Sequence, residues 1–167
     1  MAKASLWDEI LDGGGDAGDL PGTAQVTVGS DPITAITGAI GSSSDVDMYK
    51  IYISNPAVFS ATTVGPTGTL VDTQLFLFDS AGMGVYANDD RSGGGTRSTL
   101  PAGHAFSPTL VGDYFIVITG FNRDPQSAGG LIFPNAPFTS VFGPTGGGGG
   151  SPITGYTGNN PQNTGSY

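Results

Sequence analysis

Cysteine is absent from this 167-residue chain, histidine and glutamate occur once each, and only two lysines and three arginines carry positive charge. Each shortage closes a class of function. Without cysteine there is no disulfide framework from which to read a redox compartment, and no thiol nucleophile. Five scattered cations make no basic patch to neutralise phosphates, so nucleic acid is disfavoured as a partner. No stretch approaches the roughly 20 apolar residues of a membrane span. The single histidine, His104, stands between Gly103 and Ala105 in a predicted loop, where a lone imidazole is more often solvated than catalytic. Neither Gly-x-Ser-x-Gly nor Gly-x-x-x-x-Gly-Lys occurs, and no lysine follows the glycine run at 146–150. Paired carboxylates can cleave glycosidic bonds, but here they lie among turn residues, as in ion-binding loops. The residues read as a non-enzyme.

What is abundant is glycine (29), proline (12) and aspartate, whose thirteen copies dominate a net charge of −9. Aspartate favours turns and calcium loops where glutamate favours helices, so this acidity means loops. Short apolar runs cut by Gly, Pro, Asp and Ser predict an all-β fold. The length allows one domain with tails and a real core.

Residues 72–90 predict a β-hairpin with an acidic rim. Thr73–Phe78 is an apolar strand, Asp79-Ser80-Ala81-Gly82 supplies turn chemistry, and Met83–Ala87 returns the chain. Asp72 and Asp79 flank the first strand, and Asn88, Asp89 and Asp90 follow the second. So many oxygens on one rim suggest a hard cation, calcium first. In the alternating strand Met48–Ile53, Tyr49, Ile51 and Ile53 face one way and Met48, Lys50 and Tyr52 the other. The same period of two sets Asp45 and Asp47 on one side just before it, a second candidate pair. Asp16 and Asp19, in the Gly/Asp stretch 12–19, are further candidates; a plain solvated loop is the alternative. Ala24–Val28 and Ile33–Ile40 are strand candidates. Gly112–Thr119 is the strongest strand, continuous enough in apolar character to be central and covered on both faces.

The two ends of the chain differ from its middle. Leu6, Trp7, Ile10 and Leu11 recur at helical spacing, with Ser5 and Asp8 resembling a capping box. The same residues also read as an extended arm. Trp7, the only tryptophan, either packs on its own domain or docks on a neighbouring subunit. Ala2-Lys3-Ala4 matches the small-x-small end of a signal peptide as well as it matches chance. From Gly143 the chain turns Gly-, Thr- and Asn-rich, a tail that is flexible unless something holds it.

Asp45-Val46-Asp47-Met48-Tyr49-Lys50-Ile51, Asp72–Asp79, Asn88-Asp89-Asp90 and Gly112–Gly120, in this order and spacing, resemble the pre-peptidase C-terminal (PPC)-like domains of secreted bacterial proteins, including many with a PEP-CTERM sorting signal. The resemblance covers residues 16–134. It implies a jelly-roll-like antiparallel β-sandwich over 16–142, between an arm (1–15) and a tail (143–167). It also implies export from the cell, calcium on acidic loops in some members, and a mostly non-catalytic role in adhesion, matrix or targeting. The family's final apolar strand stops short here: Asn163–Tyr167 looks like its beginning only. A sheet edge left open in this way invites strand addition from another chain, and a head-to-tail contact that does not close makes a fibre. The expectation is therefore an extracellular homopolymer stabilised by calcium, with Leu6, Trp7, Ile10, Leu11 and Tyr167 as intersubunit candidates. The alternative is a calcium-dependent carbohydrate- or surface-binding module using aromatics such as Tyr86, Tyr156 and Phe121. The Thr/Ser/Pro-rich loops are also open to O-linked glycans.

Overall fold

The computed structural model describes residues 5–27, 32–65, 68–159 and 163–167. In chain order the strands are β1 (Ser5–Asp8), β2 (Gln25–Val26), β3 (Ile33–Thr37), β4 (Ala39–Ile40) and β5 (Val46–Ile53). β6 (Ala61–Thr62), β7 (Thr73–Asp79), β8 (Gly84–Asn88), β9 (Thr99–Leu100) and β10 (Gly112–Gly120) follow. The remainder are β11 (Asp124–Ser127), β12 (Gly130–Leu131), β13 (Val141–Phe142), β14 (Gly155–Thr157) and β15 (Gly165–Ser166). A single 3-10 turn, Pro56–Val58, is the only helical piece among the described residues.

The main sheet has six strands in the order β13-β8-β7-β10-β5-β2. The longest apolar run, β10, lies between β5 and β7 and is antiparallel to both, with Val117 opposite Met48 on one side and Phe76 on the other. Alternate residues feed two separate cores. Tyr49, Ile51, Leu75, Leu77 and Ile118 point into one, and Met48, Phe76, Phe78, Phe115 and Val117 into the other. Both faces are thus covered, which is why these strands carry apolar residues at both parities. The predicted facing of Tyr49, Ile51 and Ile53 against Met48 holds. Each fully buried Leu, Phe or Val contributes about 1.5–3 kcal/mol of hydrophobic stabilisation.

The hairpin joins β7 to β8 as its residues dictate. Asp79 Oδ1 accepts hydrogen bonds from the Ala81 and Met83 amides at 2.9 and 3.0 Å, and Gly82 takes a positive φ of 77°. Gly84 must lack a side chain, since a Cβ there would lie 2.7 Å from Ile132 Cγ2.

Over the first face lie β1 with β3, β4 with β15, and β6 with β9. Over the second lie β11, flanked by β12 and β14, and the segment that follows β13. The architecture is all-β and layered, but not wholly antiparallel: β1 runs parallel to β3, and β2 parallel to β5. Residues 5–8 form a strand rather than the first turn of a helix. Asp8 instead closes the turn after it, accepting from the Ile10 and Leu11 amides.

The stretch from Gly143 onward is held. The Gly148 amide donates to the Leu131 carbonyl at 2.8 Å and the Gly146 amide to that of Ile132 at 3.0 Å. Ile153 and Tyr156 complete the second core. Glycine is needed on this seam because the backbones touch: a Cβ on Gly129 would lie 2.6 Å from the Gly147 carbonyl oxygen. Residues 163–167, expected to leave a sheet edge open, pair within the chain. Gly165 and Ser166 face Ile40 and Ala39, and the Tyr167 and Gly38 backbones exchange hydrogen bonds at 2.9 and 3.2 Å.

Phe78→Ala removes a fully buried ring beside Phe133 and should cost about 3–5 kcal/mol. Val58→Ala, on the surface, should stay within about 0.5 kcal/mol. Urea unfolding of the two variants against the parent chain measures both.

Candidate metal centres

Because β10 is antiparallel to both β5 and β7, the starts of β5 and β7 lie together at one end of the sheet, beside the end of β10. Val46 faces Thr119, and Thr73 faces Gly120. The carboxylates that precede or open these strands therefore gather on one rim, where two groups of three form. In each group, one ligand oxygen per residue lies within 4.8 Å of the others.

The first group is Asp72, Asp89 and Asp90. The hairpin brings the residue before β7 next to the two after β8. Neighbouring segments then fasten the backbone: the Phe121 amide donates to the Asp72 carbonyl and the Asp90 amide to that of Phe138. Asp89 is only 9% exposed, and neither of its carboxylate oxygens has a hydrogen-bond partner. Burial pushes its carboxyl up to about 8, with the charges of Asp90, Asp72 and Asp124 adding to the rise. Burial, followed by the charge of Asp90, also raises Asp72. Nearby Asp124 is already served, accepting from Gln74 Nε2 at 2.9 Å and Asn135 Nδ2 at 3.1 Å. A buried carboxylate with two bare oxygens beside two further carboxylates is a costly arrangement alone and a suitable one around a hard divalent cation.

The second group is Glu9, Asp16 and Asp47. Asp47 lies on the Tyr49 side of β5 and is fully buried. Its Oδ2 accepts the Tyr167 hydroxyl at 2.7 Å, while its Oδ1 has no partner. The Tyr167 and Tyr49 hydroxyls are 2.5 Å apart. Burial holds both phenols well above their usual range, so they remain protonated. Burial also pushes Asp47 up to about 9; the charges of Glu9 and Asp45 add to this, and the Tyr167 hydrogen bond opposes it. Glu9, itself buried, accepts from the Ala17 amide at 2.9 Å and the Ala39 amide at 3.0 Å. Asp16 is exposed at the mouth of the group.

Of the residues singled out from sequence, Asp89 and Asp90 enter one group and Asp47 and Asp16 the other. Asn88, beside Asp89, ties loops together: Oδ1 accepts the Thr99 amide, and Nδ2 donates to the Asp90 and Ser140 carbonyls. Asp45 closes a turn by accepting the Gly41 amide at 2.5 Å. Asp19 is exposed and outside both groups. Sequence reasoning did not place Glu9 in an acidic group, and it noted Asp72 only as a flank of its strand. The one glutamate in an aspartate-rich chain was the available signal for Glu9.

The intersubunit candidates also divide. Trp7 packs in the core of its own chain, with Nε1 donating to Gln25 Oε1 at 2.9 Å. Tyr167 is bonded to Asp47 of its own chain. Leu6, Ile10 and Leu11 face solvent, 56, 61 and 84% exposed. Tyr86 and Tyr156, considered above for sugar stacking, are buried. Comparison of the chain with family models, curated proteins and solved structures gave no match.

Without metal, folded Asp47 and Asp89 keep protons that the unfolded chain, with carboxyls near 3.9, releases. The native state then binds more protons than the unfolded state between about pH 4 and pH 9, so stability falls as pH rises through that window. Calorimetry of the chelated protein should give a lower melting temperature at pH 9 than at pH 5. Added calcium should restore more of it at pH 9, where it competes less with protons.

Proposed function

We propose that this chain is a non-catalytic structural subunit of an extracellular bacterial filament or matrix, assembling head to tail with copies of itself and stabilised by calcium at Asp72, Asp89 and Asp90. The observation that carries the calcium reading is Asp89, buried with both oxygens bare and two more carboxylates within reach. Backbone carbonyls and water complete the six to eight oxygens calcium takes, and extracellular modules work with millimolar ion. The resemblance to exported PPC-like domains agrees with this compartment.

Polarity of the surface supports a head-to-tail contact. At the acidic end of the sheet the arm presents Leu6, Ile10 and Leu11 to solvent, and toward the other end of β5 lie exposed Tyr52, Leu110 and Val111. Two unlike apolar surfaces at opposite ends make a heterologous contact, which propagates when its rotation does not close a ring. Calcium on the rim lowers the repulsion that a charge of −9 sets up between stacked copies. The only histidine fits a structural part, its Nδ1 accepting the Phe106 amide.

One observation favours a second reading, a calcium-dependent carbohydrate module. Phe138, 43% exposed and edge-on to Phe121 at 5.4 Å, adjoins Asp90 through the backbone. A sugar's vicinal hydroxyls can complete a calcium shell while its ring packs on such a face.

Negative-stain electron microscopy and sedimentation of the whole chain in calcium should show polymers that chelation shortens or dissolves, together with a lower melting temperature. Ile10→Asp with Leu11→Asp should abolish polymers while leaving the melt nearly unchanged. A strictly monomeric protein at high concentration overturns the filament reading, and a monomer that binds polysaccharide only with calcium establishes the second.

A further inference from the structure

The group Glu9, Asp16 and Asp47 is built differently from the rim group, because its ligands come from segments far apart in sequence. Glu9 and Asp16 belong to the N-terminal region, Asp47 to β5, and the hydroxyl that holds Asp47 to Tyr167, 120 residues further on. We propose that Glu9, Asp16 and Asp47 form a second, independent divalent-cation site, a clasp whose occupancy keeps the arm carrying Trp7 docked on the main sheet. The clasp takes its ion class from the calcium reading above; its residues and geometry are separate from that site.

Two features point to a ligand there. Asp47 is fully buried, yet Oδ1 has no protein partner, while Tyr167 occupies Oδ2 alone. Tyr167 thus orients the carboxylate and leaves one oxygen for an ion. Glu9 is pinned from two sides by the Ala17 and Ala39 amides, each using one oxygen and leaving lone pairs over. Gly38 lets both groups lie close against the backbone, since a Cβ there would lie 2.7 Å from Glu9 Oε2 and overlap the Tyr167 hydroxyl. Asp16 is the exposed member and leaves an open side for the waters calcium retains.

The arm is coupled to the clasp through Gln25. Its Nε2 donates to the carbonyls of Glu9 at 3.0 Å and Gly15 at 2.5 Å, and its Oε1 receives the Trp7 indole N–H. A Cβ on Gly13 would collide with this amide, so the loop closes tightly around it. With the ion bound, carboxylates of the arm, the 12–19 loop and β5 share one charge centre. Without it, those carboxylates have no common partner, and the arm loosens. Trp7, the sole tryptophan, reports this directly.

The test uses metal-free full-length protein titrated separately with calcium chloride and with terbium chloride. Calorimetric titration should count two calcium ions on the parent chain. Asp16→Asn, an exposed substitution that leaves the core alone, should weaken one of them at least 10-fold. Asp47→Asn, isosteric and verified as folded by circular dichroism, should remove it. Tyr49 and Tyr167 adjoin Asp47, so terbium in the clasp should emit on tyrosine excitation, and calcium should quench that emission by displacement. Calcium should shift Trp7 fluorescence to shorter wavelength in the parent and in Asp89→Asn, and not in Asp47→Asn. If Asp16→Asn and Asp47→Asn keep parental affinity and Trp7 response, the clasp is overturned. If Asp89→Asn still binds two ions while those variants bind one, the clasp stands and the rim site of the preceding section fails.

Discussion

The pairing of β10 with β5 on one side and β7 on the other, under cover on both faces, constrains the rest of the molecule. Such strands have no solvent face on which to carry charge, so ionisable groups are driven to their ends. β5 and β7 start at the same end, and the carboxylates around those starts therefore share one rim. The opposite end keeps the ion pair of Lys50 and Asp113, at 2.8 Å, and a group of exposed apolar residues. One end of the strands gathers the two carboxylate groups beside exposed Leu6, Ile10 and Leu11, and the other carries exposed Tyr52, Leu110 and Val111. Such asymmetry suits a subunit that repeats in a line.

Two of the rim carboxylates are buried with unpaired oxygens, and the reason lies in what covers them. The segments that cover them, 9–19 over Asp47 and 120–124 beside Asp89, bring Glu9, Asp16 and Asp124, and none of their donors reaches the bare oxygens. A protein normally avoids such a cost through cationic partners, and the three arginines are spent elsewhere. Arg97 donates to the Thr63 and Gly68 carbonyls, Arg91 to that of Gly94, and Arg123 to that of Gly158. Among the described residues the one ion pair is Lys50 with Asp113, so neither Asp47 nor Asp89 has a cationic side-chain partner.

The hairpin, the central place of Gly112–Thr119 and the facing of Tyr49, Ile51 and Ile53 were legible because each rests on a period of two and a local turn. Asp89 and Asp90 were legible as members of an acidic group for the same reason, being on the loop that ends the hairpin. Glu9 was not, since nothing near it in sequence says that residues 5–8 turn to run parallel to β3 and set its carboxylate beside Asp47. Asn88 follows the hairpin as read, and its amide also ties this loop to Thr99 and Ser140. The glycine run was read as loose, yet it packs because two backbones approach too closely for any side chain.

By itself the sequence determined the chemistry: an all-β chain, acidic through aspartate, without thiols, with a hairpin and a continuous apolar strand at its centre. Alternation and turn residues act over a few positions, so they can be read in one dimension. Tertiary structure alone decided which carboxylates meet, that Trp7 and Tyr167 turn inward, and that Ile153 and Tyr156 complete a core. Those outcomes depend on contacts between segments as much as 120 residues apart, and local pattern carries no record of them.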